Sequence, residues 1–143
     1  MHGRDEIAAL IPHQGTMCLN ERIVAWDDAR VVLATTSHRS PANPLRREGR
    51  LRALHLAEYG AQAMAVHGGL LARAAGRRAA PGLLVSLRAV ELHLDTVDDL
   101  PGELEVEAEK LAASAGSWQY AFVVRHDGRV LARGRAAVMA RST

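Results

Sequence analysis

The sequence predicts an α+β fold in which an antiparallel sheet wraps around one long helix, and three observations carry that expectation. The first is a single long stretch with helical spacing, Leu51 to Arg73, where Leu51, Leu54, Ala57, Ala61, Met64 and Ala65 share one stripe. Ala53, Leu56 and Val66 make its other sides apolar too, as expected of a helix buried inside a structure. The second is strict alternation in residues 103–109, where every odd position is Glu and Leu104, Val106 and Ala108 point the other way. That is the pattern of a half-buried strand. The third is Asp127-Gly128, a two-residue signal for a hairpin between antiparallel neighbours.

The other elements follow in chain order. Arg4 to Leu10 forms a short first helix closed by Pro12. After a turn at Gly15, Cys18 to Trp26 reads as a strand ended by Asp27-Asp28, and Arg30 to Thr36, rich in β-branched residues, as its hairpin partner. Ser37 to Gly49 is a loop holding Pro41 and Pro44, and a loop of that length inside a compact domain points to function. In the long helix Gly68-Gly69 allows close packing, and Gly76 terminates it. Beyond it Leu83, Val85 and Leu87 alternate until the phase slips at Ala89-Val90. Val90, Leu92 and Leu94 then take over the apolar face, which predicts a bulge. Pro101-Gly102 turns the chain into residues 103–109, and strands at 117–126 and 129–139 complete the set. Helix, two strands, helix, four strands is the order of a hotdog fold, here one domain over residues 1–143.

Composition narrows the function classes. Hydrophobic residues make up 48% and aromatics only 3%, so the core is expected to be mainly Leu, Val and Ala. Such a core gains from a partner subunit that buries more area. The net charge of +2 comes without a Lys/Arg block or interleaved aromatics, so nucleic-acid binding is not expected. Cys18 stands alone, which excludes an intramolecular disulfide and favours a buried inert thiol. No N-terminal stretch has secretory form, and the apolar run 61–75 is broken by Gln62, His67 and Arg73. No membrane span and a cytoplasmic location are expected.

Glu58 is the first candidate for chemistry. It lies in an otherwise apolar helix, where an ionised carboxylate costs several kcal/mol unless partnered. His55 lies one turn before it and Gln62 one turn after. Either Glu58 pairs with His55 or an arginine and fixes packing, or it is functional. His38 sits in the preceding loop, and a histidine and a carboxylate together can abstract one proton and return another to a leaving hydroxyl. Backbone N–H groups at the helix start favour negative charge, such as that building on a thioester oxygen, and Gly49 would let a ligand come close. Arg39, Arg46, Arg47, Arg50 and Arg52 crowd the same region, suiting either an acidic partner or a solvated loop. The other histidines form no metal-ligand spacing, so neither a metal site nor a phosphate loop is expected.

These residues resemble a known family. Ile11-Pro12-His13-Gln14-Gly15-Thr16-Met17, followed by Leu19-Asn20-Glu21-Arg22-Ile23-Val24, resembles the opening of the FabA/FabZ-type 3-hydroxyacyl-[acyl carrier protein] dehydratases. Glu58-Tyr59-Gly60-Ala61-Gln62 resembles their helix motif. Asn43-Pro44-Leu45-Arg46, Gly49 and the run Ala61 to Ala65 are closer to the ApeP-like branch, associated with aryl polyene biosynthesis.

The resemblance implies a hotdog dimer without a cofactor. It would eliminate water from a 3-hydroxyacyl thioester carried on the phosphopantetheine arm of acyl carrier protein. A loop histidine would act as base, and a carboxylate on the other protomer's central helix as acid, a position that Glu58 matches. Gly49, Gln62 and His13 become candidate substrate-binding residues, and Arg39, Arg46 and Arg47 candidates for docking the carrier protein. The family's His-Phe-Pro-Gly aligns with Arg39-Ser40-Pro41-Ala42, leaving His38 one residue early. Either His38 serves through a shifted loop, or the chain is a non-catalytic partner in a heterodimer. An acyl-CoA thioesterase, with Glu58 activating water, is the remaining alternative.

Overall fold

The computed structural model describes residues 3–11, 17–77 and 82–140. Its elements are α1 (Arg4–Leu10), β1 (Arg22–Trp26), β2 (Arg30–Thr35), α2 (Leu56–Ala74), β3 (Gly82–Leu92), β4 (Leu104–Ser114), β5 (Ser117–His126) and β6 (Arg129–Ala140). All strand pairs are antiparallel and form one six-stranded sheet in the order β1-β2-β4-β5-β6-β3. The chain therefore crosses from β2, through α2, to the opposite edge of the sheet. The sheet curls over α2, which packs on β2, β4, β5 and β6. This is the hotdog arrangement.

The local signals are realised physically. Asp127 and Gly128 take φ of 49° and 79°, the left-handed pair that a two-residue hairpin requires. The predicted phase slip is a bulge in β3, where register shifts between Arg88 and Glu91 and Ala89 adopts φ 54°. On β4, Leu104, Val106 and Ala108 are buried, whereas Glu105 and Glu109 are exposed and Glu107 is half-buried. Arg125 of β5 reaches Glu105 at 3.0 Å and Glu107 at 2.9 Å across the strand pair.

Few aromatics does not mean an aromatic-free centre. Tyr59 and Phe122 are among the largest fully buried side chains, beside Leu33, Leu56, Leu104 and Leu131. The Phe122 ring is gripped by two glycines. A Cβ on Gly60 of α2 would lie 2.6 Å from Phe122 Cγ, and one on Gly134 of β6 would lie 2.8 Å from Phe122 Cε2. Helix and sheet approach this closely because neither carries a side chain there. Gly69 similarly sits against Leu10 of α1, its added Cβ 2.9 Å from the Leu10 carbonyl oxygen, whereas Gly68 has no such neighbour.

Three boundaries differ from expectation, one being that the strand read over residues 103–109 runs on to Ser114. The strand read from Cys18 begins at Arg22, because residues 18–20 are drawn onto α2. The helix read from Leu51 begins at Leu56 after a 3-10 turn, Ala53–His55. Residues 51–53 are held instead by residues 95–98: Val97 N–H donates to Leu51 O at 2.9 Å, and Ala53 N–H to Asp95 O at 2.8 Å. The expected closure of α1 at Pro12 and the turn at Gly15 lie outside the described residues.

Candidate active site

Glu58 lies in the first turn of α2, and the structure corrects the expectation that it is sequestered. Its side chain is exposed in the single chain. The sheet covers the faces of α2 bearing Tyr59, Gln62, Ala63, Val66 and Leu70. It leaves open a stripe of Leu54, Glu58, Ala61, Ala65 and Gly68, with Leu54 58% exposed. The helix is thus apolar nearly all round but covered on one side only. Among the described residues no hydrogen bond or ion pair joins Glu58 to His55, Gln62 or an arginine, so fixing the packing is not its role.

His38 lies in a 3-10 turn, Ser37–Arg39, and is fully buried. Its Nε2 is 2.9 Å from the carbonyl oxygen of Leu100. A carbonyl only accepts, so Nε2 carries the hydrogen in the neutral ring and Nδ1 is left with a bare lone pair. That Nδ1 has no hydrogen-bond partner among the described residues. Burial lowers the basicity of the ring below the ordinary histidine value, with a smaller opposing contribution from the Leu100 carbonyl. The result is a neutral imidazole held in one tautomer. No hydrogen bond joins it to Glu58 within the chain.

Gln62 is not free to bind substrate. Buried on α2, it uses both ends of its amide on the segment before β1: Leu19 N–H donates to its Oε1 at 2.9 Å, and its Nε2 donates to Met17 O. It tethers that segment to the helix. Gly49 is likewise corrected. It sits with Glu48 at the tip of a tight turn, φ 76° and 53°, closed by paired backbone bonds between Arg47 and Arg50. The turn precedes α2 by several residues, and the amides of Ala53, His55 and Leu56 bond to Asp95, Arg52 and Ala53 carbonyls. Gly49 therefore serves the turn. His13 lies outside the described residues.

The arginines divide. Arg46 is half-buried and spends its guanidinium on the carbonyls of Gly49 at 2.7 Å and His38 at 3.2 Å, which removes it from carrier docking. Arg50 pairs with Asp98 at 3.1 Å and Arg52 with Asp95 at 3.2 Å. Arg47 is exposed, its guanidinium donating to the Pro44 and Arg46 carbonyls. Arg39 is exposed and lines a cavity of about 400 Å³ with Arg4, Glu21, Ser37, Ser40 and Asn43.

Sequence reasoning missed a polar cluster around Tyr59. The buried phenol accepts from Asn43 Nδ2 at 2.9 Å and lies 2.8 Å from Ser37 Oγ. Asn43 also donates to Ser37 O at 3.0 Å and accepts from Leu45 N–H at 2.9 Å, so its amide is fully used. Ser37 Oγ in turn donates to Leu19 O at 2.6 Å. An asparagine in a long loop and a tyrosine on a helix were visible as motif letters, but their meeting was not.

A model of the ApeP-like dehydratases (ApeP dehydratase) matches residues 5–142. The chain belongs to the ApeP-like dehydratase family. No curated protein matches it significantly. Among solved structures, the dehydratase heterocomplex ApeI:P from Xenorhabdus doucetiae superposes with a TM-score of 0.86 at 21% identity, covering 96% of this chain and 91% of that one. A thioesterase family protein from Silicibacter pomeroyi gives a TM-score of 0.68 at 21% identity over 98% and 96% of the two chains. Zebra fish thioesterase superfamily member 2 gives 0.67 at 14% identity over 96% and 95%. At these identities the structures establish the hotdog fold of this ApeP-like chain. Among its described residues no helix is long and apolar enough to cross a membrane.

Proposed function

We propose that this chain is a subunit of a 3-hydroxyacyl-thioester dehydratase whose site forms between two hotdog chains, with His38 as base and Glu58 of the facing chain as acid. The observation that carries the reading is the His38 ring, buried and neutral with Nε2–H fixed by a carbonyl and Nδ1 left unbonded. A buried polar atom without a partner calls for an explanation, and a base awaiting its substrate is one. Glu58, unpaired on the open stripe of α2, supports the reading from the other side. An approaching chain would cover it and bring its carboxyl into a shared site.

The steps balance without a cofactor. The Nδ1 lone pair takes the C2 proton, which the adjacent thioester acidifies. The C2–H electron pair forms the C2–C3 double bond, the C3–O bond breaks, and the departing hydroxyl takes the Glu58 proton to leave as water. The imidazolium and carboxylate then exchange a proton through solvent. Exposed Arg39 and Arg47 suit the acidic surface of a carrier protein that delivers the thioester.

A second reading has its own observation. His38 Nδ1 is closed to solvent in the single chain, which suits a subunit that contributes Glu58 and structure while a second hotdog chain supplies the base. The dehydratase heterocomplex ApeI:P gives the pairing of two different chains a precedent. The experiment is incubation of the purified chain, alone and with co-purifying hotdog protein, with a 3-hydroxyacyl carrier protein. The 2-enoyl thioester is expected as product. Its absence in both preparations, or release of free thiol in its place, contradicts the proposal.

A further inference from the structure

We infer that Tyr59 is a positioning residue: its hydroxyl latches the loop bearing His38 onto the helix bearing Glu58. The inference rests on the dehydratase reading but stands on hydrogen-bond geometry of its own. Tyr59 follows Glu58 directly on α2 and is buried in the interior, while Glu58 faces out. Ser37 immediately precedes His38. The phenol oxygen meets Ser37 Oγ at 2.8 Å and Asn43 Nδ2 at 2.9 Å.

One order of hydrogens leaves every member of this cluster satisfied, Thr35 included, whose hydroxyl also reaches Leu19 O at 2.6 Å. Asn43 Nδ2 has two, one for Ser37 O at 3.0 Å and one for the phenol oxygen. The Ser37 hydroxyl gives its hydrogen to Leu19 O at 2.6 Å. Ser37 Oγ is the one acceptor within reach of the Tyr59 O–H among the described residues, so in this order the phenol donates to it. Burial holds the phenol in its protonated form, as that order requires. Both ends of the loop segment 37–43 are thus tied to one atom of α2, with His38 between them. The far side of His38 is fixed by the Leu100 carbonyl at Nε2 and by Arg46 at its own carbonyl. The latch therefore determines where Nδ1 points, and the Leu19 link extends it to the segment that Gln62 also holds.

Tyr59→Phe removes one oxygen and keeps the ring. We expect kcat to fall by about 10- to 100-fold with KM nearly unchanged, as for lost orientation of a catalytic group. In a double-mutant cycle with His38→Gln, Tyr59→Phe should cost nothing further, because a latch acting through His38 has no role once the imidazole is gone. A purely structural tyrosine would lower both backgrounds alike, and that outcome overturns the inference. Amide hydrogen exchange in residues 37–45 gives a readout independent of turnover. It should quicken at least about tenfold in Tyr59→Phe while the β4–β5 pair is unchanged. Ser37→Ala, which removes the acceptor together with the Ser37–Leu19 link, should reproduce both effects in part. Wild-type inactivity with faster loop exchange in the variant sinks the dehydratase reading alone, whereas unchanged exchange sinks the latch.

Discussion

His38 and His67 are both fully buried, and each has one ring nitrogen against a backbone carbonyl, Leu100 for His38 and Asp27 at 2.8 Å for His67. Burial is the leading cause that depresses each below the ordinary histidine value. A lowered folded value means that the unfolded chain binds protons more readily. Their contribution to stability is therefore complete above about pH 6.5 and is lost as the pH falls below it. Urea denaturation at neutral and mildly acidic pH should show that loss, and His38→Gln should flatten it. An equally steep acid limb in His38→Gln would show that His38 is not buried neutral. Gln62 makes a separate prediction. Gln62→Leu leaves the Leu19 N–H without its acceptor and should cost about 1–3 kcal/mol in the same assay. A change within experimental error would mean that the tether is not formed.

At the scale of elements, the contact between α2 and the sheet depends on absent side chains. Gly60→Ala puts a carbon 2.6 Å from the Phe122 ring, which Gly134 blocks from behind. Overpacking of this kind costs about 1–3 kcal/mol, so thermal melting should fall by several degrees. Gly68→Ala, with nothing within 4 Å in its own chain, should leave the packing of α2 on the sheet unchanged. Much of this level was legible beforehand. Alternation in β4, the Asp127-Gly128 hairpin and the slip at Ala89 are local signals, read from neighbouring residues. What stayed hidden is long-range. Whether Glu58 faces the sheet or solvent depends on which side of an almost uniformly apolar helix the strands cover, and no periodicity of α2 specifies that. The Tyr59–Asn43 and His38–Leu100 bonds join residues 16 and 62 positions apart. Gln62 was read as a substrate-binding candidate, whereas its amide bonds to residues 17 and 19 act as a tether.

For the whole molecule, the open stripe of α2 and the edge strand β3 are features that expose apolar side chains among the described residues. Leu54 in the turn before α2 and Leu87 and Leu92 on β3 are exposed at 58%, 39% and 42%, and an unpaired strand edge invites another strand. On the proposed account a second hotdog chain covers them, so light scattering should report a dimer or a heterodimer, and Leu87→Lys should weaken it. A chain that stays monomeric at working concentration and still turns over would refute a shared site. The most direct measurement is the rate of 2-enoyl thioester formation by the assembled protein carrying Glu58→Gln. Loss of the proton donor in an otherwise intact assembly should lower that rate by about 10²–10⁴-fold. Turnover at the wild-type rate would contradict the assignment of Glu58 as the acid.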